Sequence, residues 1–124
     1  MNSQLTLGEL VQFVLANRTA KAFFAYDEST IASSILRAAQ AGTLLYAKRV
    51  DGTPCGVVTA YADDKNKLMH IHDILTTEPW VLKSFVKEFR RRWPDYSLAG
   101  LRFGEQVYYN TNRLCRLVMK GESI

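Results

Sequence analysis

A chain of 124 residues with 48% hydrophobic content has material for one packed core and no room for a second domain, so one domain spanning residues 1–124 is expected. Sixteen Lys and Arg against twelve Asp and Glu leave a net charge of +4, which tolerates an acidic partner without demanding one. Cys55 and Cys115 stand far apart with no CxxC pair, the first residues lack a basic stretch leading into an apolar run, and no segment has the apolar length of a membrane span. These features point to free thiols, a reducing compartment and a cytoplasmic protein, with no membrane partner.

Leu7, Leu10, Val11, Val14 and Leu15 recur at helical spacing, with Thr6 as N-cap and Glu9 in capping-box position, and predict a first helix. Asn17 to Asp27 is less periodic, and its Phe23, Phe24 and Tyr26 either continue a helix or form an apolar loop over the core. Asp27 or Ser29 then caps a second helix with Ile31, Ile35, Leu36 and Ala39 inward and Gly42 as its stop. Residues 43–50 and 55–62 are strand-like on either side of an Asp51-Gly52-Thr53-Pro54 turn and predict an antiparallel hairpin. After the charged turn at 63–67, LMHIHDILTT makes a third strand and the sheet a meander. Pro79 opens a helix that buries Val81, Leu82, Phe85, Val86, Phe89 and Trp93, exposes Lys83, Lys87, Glu88 and Arg90 to Arg92, and stops at Pro94. Residues 96–103 predict a strand parallel to the third, because a helical crossover precedes it. Val107 to Met119 reads as a short extended piece and then a helix.

The fold class expected is α/β (α+β): a mixed sheet in which an antiparallel meander leads into a parallel strand-helix-strand unit. That order of elements resembles the GNAT superfamily of acyl-CoA-dependent N-acyltransferases over most of the chain. In that family the strand before the long helix splays from its parallel neighbour, and the following loop offers backbone N–H groups to the cofactor pyrophosphate, as a helix N-terminus can. The resemblance places Leu75, Thr76, Thr77 and Trp80 at that cofactor-binding junction. The family's glycine pattern is missing, since no glycine stands between Gly56 and Gly100, while Glu78 adds a like charge and Pro79 removes a donor. The RTX toxin-activating lysine acyltransferases, which take their acyl group from acyl carrier protein, are similar in lacking that loop. Their strand aspartate maps to Asp73, although no histidine precedes His70. Short proteins of this shape also resemble products of tailed-phage genomes.

Asp73 is the most informative single residue. Strict alternation puts it on a strand face with Met69, Ile71 and Leu75, where an unpaired carboxylate costs several kcal/mol, roughly, or is forced neutral. It is either a general base for an incoming amine or a structural acceptor for a loop or for Arg102. The same alternation puts His70 and His72 on the other face with Leu68, Ile74 and Thr76. Such a pair can supply two zinc ligands, but nothing nearby in sequence completes a set, so no metal is expected and the simpler reading is one imidazole held between sheet and helix. His72 stands beside Asp73 as a second candidate base, and the resemblance makes Tyr108 or Tyr109 the acid that protonates a departing thiolate. Arg90, Arg91 and Arg92, with Arg113 and Arg116 nearer the C-terminus, form basic clusters suited to a partner rich in phosphate. Two functions follow: acyl transfer from acyl-CoA or acyl carrier protein to an amine, or a non-catalytic phage virion, assembly or nucleic-acid-binding accessory that keeps only the fold.

Overall fold

The computed structural model describes residues 5–18, 26–102 and 105–109. Helices α1 (Leu7–Asn17) and α2 (Glu28–Ala41) precede strands β1 (Leu45–Lys48), β2 (Pro54–Asp63) and β3 (Leu68–Thr76). Helix α3 (Pro79–Arg92) and strands β4 (Ser97–Arg102) and β5 (Glu105–Tyr109) follow. The strands form one sheet in the order β1-β2-β3-β4-β5. Among the described strands only the β3–β4 pair is parallel, as expected for strands joined through α3.

Local chemistry sets most of the boundaries. The Thr6 hydroxyl accepts from the Glu9 N–H at 3.1 Å while the Glu9 carboxylate accepts from the Thr6 N–H, a complete capping box on α1. Asp27, rather than Ser29, caps α2 through the Thr30 N–H at 2.7 Å, and Gly42 ends that helix with φ +75°. The Asp63 carboxylate accepts from both the backbone and side-chain N–H of Asn66, closing the β2–β3 turn.

Two apolar clusters cover the two faces of the sheet. On one face α3 contributes Val81, Leu82, Phe85, Val86 and Phe89 against Val58, Ala60, Met69, Ile71 and Leu98. On the other, Leu10, Val11, Phe13 and Val14 of α1 meet Ile31 and Ile35 of α2 over Val57 and Leu75. The buried Thr43 hydroxyl donates to the Ala60 carbonyl at 2.5 Å and ties the end of α2 to the sheet.

The expected alternation along β3 fails in the middle of the strand. Thr59 pairs with Asp73 but Ala60 pairs with Ile71, so His72 is an extra residue opposite no partner, a β-bulge. Up to Ile71 the odd-numbered residues face α3; past the bulge it is Ile74 that packs there, and Leu75 joins the α1/α2 cluster. The reading that set Asp73 with Met69 and Ile71, and the histidines with Ile74, is therefore corrected: a one-residue slip reverses every side chain that follows it. The parallel ladder between β3 and β4 also ends here, at Ile71 and Gly100, while β3 continues to Thr76.

The helix expected within 107–119 lies outside the described residues beyond Tyr109, as do Arg113, Arg116, Cys115 and the Phe23-Phe24 pair.

Candidate functional site

The bulge brings His72 and Asp73 to the same side of the sheet, the side covered by α1 and α2. Asp73 is half-buried, and the Tyr26 hydroxyl donates a hydrogen bond to its carboxylate. Burial pushes its pKa from 3.8 up to about 6, against the opposing pull of that hydrogen bond. The nearby Asp73 charge in turn raises Tyr26, with burial and the hydrogen bond adding to it. Tyr26 is positioned by the guanidinium of Arg18, which donates to its carbonyl at 2.7 Å across the segment before α2. Directly across the strand pair, Thr59 is 1% exposed and its hydroxyl has no hydrogen-bond partner among the described residues. The Arg102 side chain lies outside the described residues; the partner of Asp73 is Tyr26, just before α2, which sequence spacing does not connect to β3.

Beside this pair, α2 and the β2–β3 strands enclose a cavity of about 170 Å³ lined by Thr30, Ser33, Ser34 and Arg37, by the Tyr61 ring and by His72, with alanines between them. Tyr61 is 55% exposed, and its ring lies 6.1 Å from His70 and 6.4 Å from His72, nearly parallel to the latter. Partial burial, then the neighbouring His70 and Arg37, hold His72 below the ordinary imidazole pKa, so it is neutral at pH 7. Among the described residues no group of three His, Cys, Asp or Glu side chains is placed to hold an ion.

The β3–α3 junction, the second candidate, is filled by the protein's own groups. The Thr77 N–H and hydroxyl both donate to the Cys55 carbonyl, at 3.0 and 3.2 Å, and the Val81 N–H bonds the Glu78 carbonyl at 3.1 Å. Arg49 reaches from the end of β1 to donate to Glu78 at 2.5 Å and to the Thr77 hydroxyl at 3.0 Å, and the Trp80 indole donates to the other Glu78 oxygen at 2.5 Å. The Trp80 bond, then the Arg49 bond, hold Glu78 below the ordinary carboxylate range, so a negative charge is fixed at the end of α3 where a diphosphate would lie. Leu75 is buried in the α1/α2 cluster and so presents nothing there. These residues do not fit the pyrophosphate of an acyl-CoA.

The third candidate is the outer face of α3. Lys83, Lys87, Arg90 and Arg91 fall at i, i+4, i+7 and i+8 and share one solvent-facing stripe opposite the buried Val81, Phe85 and Phe89. Glu88 pairs with Arg91 at 2.5 Å and Arg92 at 2.7 Å, whereas Lys83, Lys87 and Arg90 have no ion pair among the described residues. Tyr108 and Tyr109 lie on β5 opposite Ala99 and Leu98 of β4; their side chains are outside what the structure describes.

No family model, curated protein or solved structure matches this chain. Among the described residues no helix is long and apolar enough to cross a membrane.

Proposed function

We propose that this chain is a GNAT-like domain working as a non-catalytic binding or assembly protein, which engages a polyanion such as nucleic acid through the outer face of α3. The observation that carries this reading is the unpaired cationic stripe of Lys83, Lys87 and Arg90 on a helix whose opposite face is fully committed to the core. Phosphates neutralised by such a row release counterions, so binding falls steeply with salt. The occupied β3–α3 junction supports the same conclusion from the other side, because the acyl-CoA site of the resembling family is taken up by Arg49 and Glu78. A virion or nucleic-acid packaging accessory fits this role. The test is retention of DNA and RNA across a salt series for the natural chain and for the triple variant Lys83→Gln, Lys87→Gln, Arg90→Gln, alongside calorimetric titration with acetyl-CoA and acyl carrier protein. Salt-sensitive retention lost in the variant, with no saturable heat from either acyl donor, is the expected outcome. Retention that is absent or unchanged by the substitutions rejects it.

One observation favours a second reading, acyl transfer to an amine: the bulge sets two candidate bases, His72 and Asp73, side by side on one face, with Asp73 titrating at about 6. Tyr108 or Tyr109 is then the candidate acid. Because the α3 N-terminus is filled, the acyl donor in this reading approaches elsewhere. Saturable binding of acyl carrier protein, together with acyl transfer that Asp73→Asn abolishes, would favour it over the first.

A further inference from the structure

The cavity between α2 and the β2–β3 strands lies on the side of the sheet opposite α3 and takes no part in the polyanion reading. Its wall carries one guanidinium, from Arg37, one imidazole, from His72, and the hydroxyls of Thr30, Ser33 and Ser34, and it includes no carboxylate. Arg37 has no ion pair among the described residues, so its charge is available to a ligand. Two observations argue that the cavity is built to hold something rather than being a seam between layers. Alanines 38 and 41 leave space where larger side chains would close it, and the exposed Tyr61 ring stands at its edge with the His72 ring nearly parallel to it. On the same sheet face, one position in from Tyr61, the buried Thr59 hydroxyl also lacks a partner among the described residues.

We propose that this groove binds a small organic anion, its oxyanion group held by Arg37 with Ser33, Ser34 and His72 and its apolar part resting on the Tyr61 ring. Arginine forms paired hydrogen bonds with either a carboxylate or a phosphate, and hydroxyls and a neutral imidazole add donors without competing charge. Size limits the class. At about 170 Å³ the space is below the roughly 300 Å³ at which pockets for drug-sized molecules begin, so a short carboxylate or a small phosphate monoester fits and a nucleotide cofactor does not. The source of the anion, carboxylate or phosphate, is what the two arms of the test separate.

The experiment is an NMR titration of the full chain with sodium acetate and, separately, inorganic phosphate, against sodium chloride at equal ionic strength, following the His72 ring protons and the Ser33 and Ser34 amides. Saturable shifts at those residues with a Kd on the order of 1 mM are expected from one of the two anions. Arg37→Gln, an exposed position, weakens that binding by about tenfold or more, as loss of a charge-assisted hydrogen bond does. Ala41→Leu weakens it by filling the groove while leaving every charge in place, and Arg90→Gln on the opposite face leaves it unchanged. Shifts that never saturate, that chloride reproduces, or that persist undiminished in Arg37→Gln overturn the proposal. So does a response at these residues to an oligonucleotide alone, which would make the groove part of a polyanion surface. Because the readout lies across the sheet from α3, failure here is distinguishable from failure of the DNA-retention test.

Discussion

Replacing Asp73 by Asn removes the charge that the fold is least suited to hold and keeps an oxygen that accepts from the Tyr26 hydroxyl. A carboxyl whose pKa rises from 3.8 in the unfolded chain to about 6 in the folded one binds its proton more tightly when folded. Its contribution to stability is therefore fully present below pH 4, falls as pH rises through the interval from 4 to 6, and is gone above it. Fully expressed, a shift of that size corresponds to about 3 kcal/mol, and solvent access to a half-buried group discounts it to about 1–2 kcal/mol. Asp73→Asn is accordingly expected to be more stable than the natural chain by about 1–2 kcal/mol at pH 7 and equal to it at pH 4. Urea unfolding at half-unit steps from pH 4 to pH 8, for both proteins, measures this. The difference between the two curves is the informative quantity, because Asp27, Asp51, Asp63, Glu78 and Glu88 are held below their ordinary range and lose stability in acid, the opposite direction. A variant that is less stable at pH 7, or a difference independent of pH, would refute the argument that burial dominates at Asp73 and would make the carboxylate a net structural asset.

Other consequences are testable by similar means. A Cβ at Gly56 would lie 2.5 Å from Val81 Cγ1 and 3.2 Å from the Phe85 ring, so Gly56→Ala is expected to cost about 1–3 kcal/mol by overpacking. Adding Val81→Ala should recover part of that loss, and strictly additive denaturation energies would show that the contact is not the cause. Thr6→Ala removes one half of the capping box and should cost about 1 kcal/mol, with hydrogen exchange rising first in the opening turn of α1; uniform exchange along the helix would contradict this. Because Glu78 is held below the ordinary range by the Trp80 and Arg49 bonds, the Trp80 indole N–H resonance should move in acid with a midpoint below 4.5. A midpoint at or above that value would mean the junction is not closed in solution.

What was readable in the sequence is what neighbours in the chain decide. The Thr6–Glu9 box, a cap for α2 at one of its two candidates, Asp27, the Gly42 stop, the Asp63–Asn66 turn and the inner face of α3 all depend on groups within about one or two turns of each other, and each stands where the residue pattern allowed it. The mixed sheet followed from the same source, since a strand joined to the next through a helix pairs in parallel. The site was decided otherwise. Alternation has no means of anticipating a bulge, because the extra residue is defined by the partner strand, and the slip at His72 alone moved Asp73 from the α3 side to the α1/α2 side. Arg49 and Glu78 are 29 positions apart, and Tyr26 meets Asp73 across α2 and two strands, so only packing of the layers could show that the α3 N-terminus is already occupied and that the buried carboxyl has a partner. The groove beside His72 has the same origin: its hydroxyls and its guanidinium come from one helix and its rings from two strands, and nothing in the order of those residues along the chain announces that they face one another.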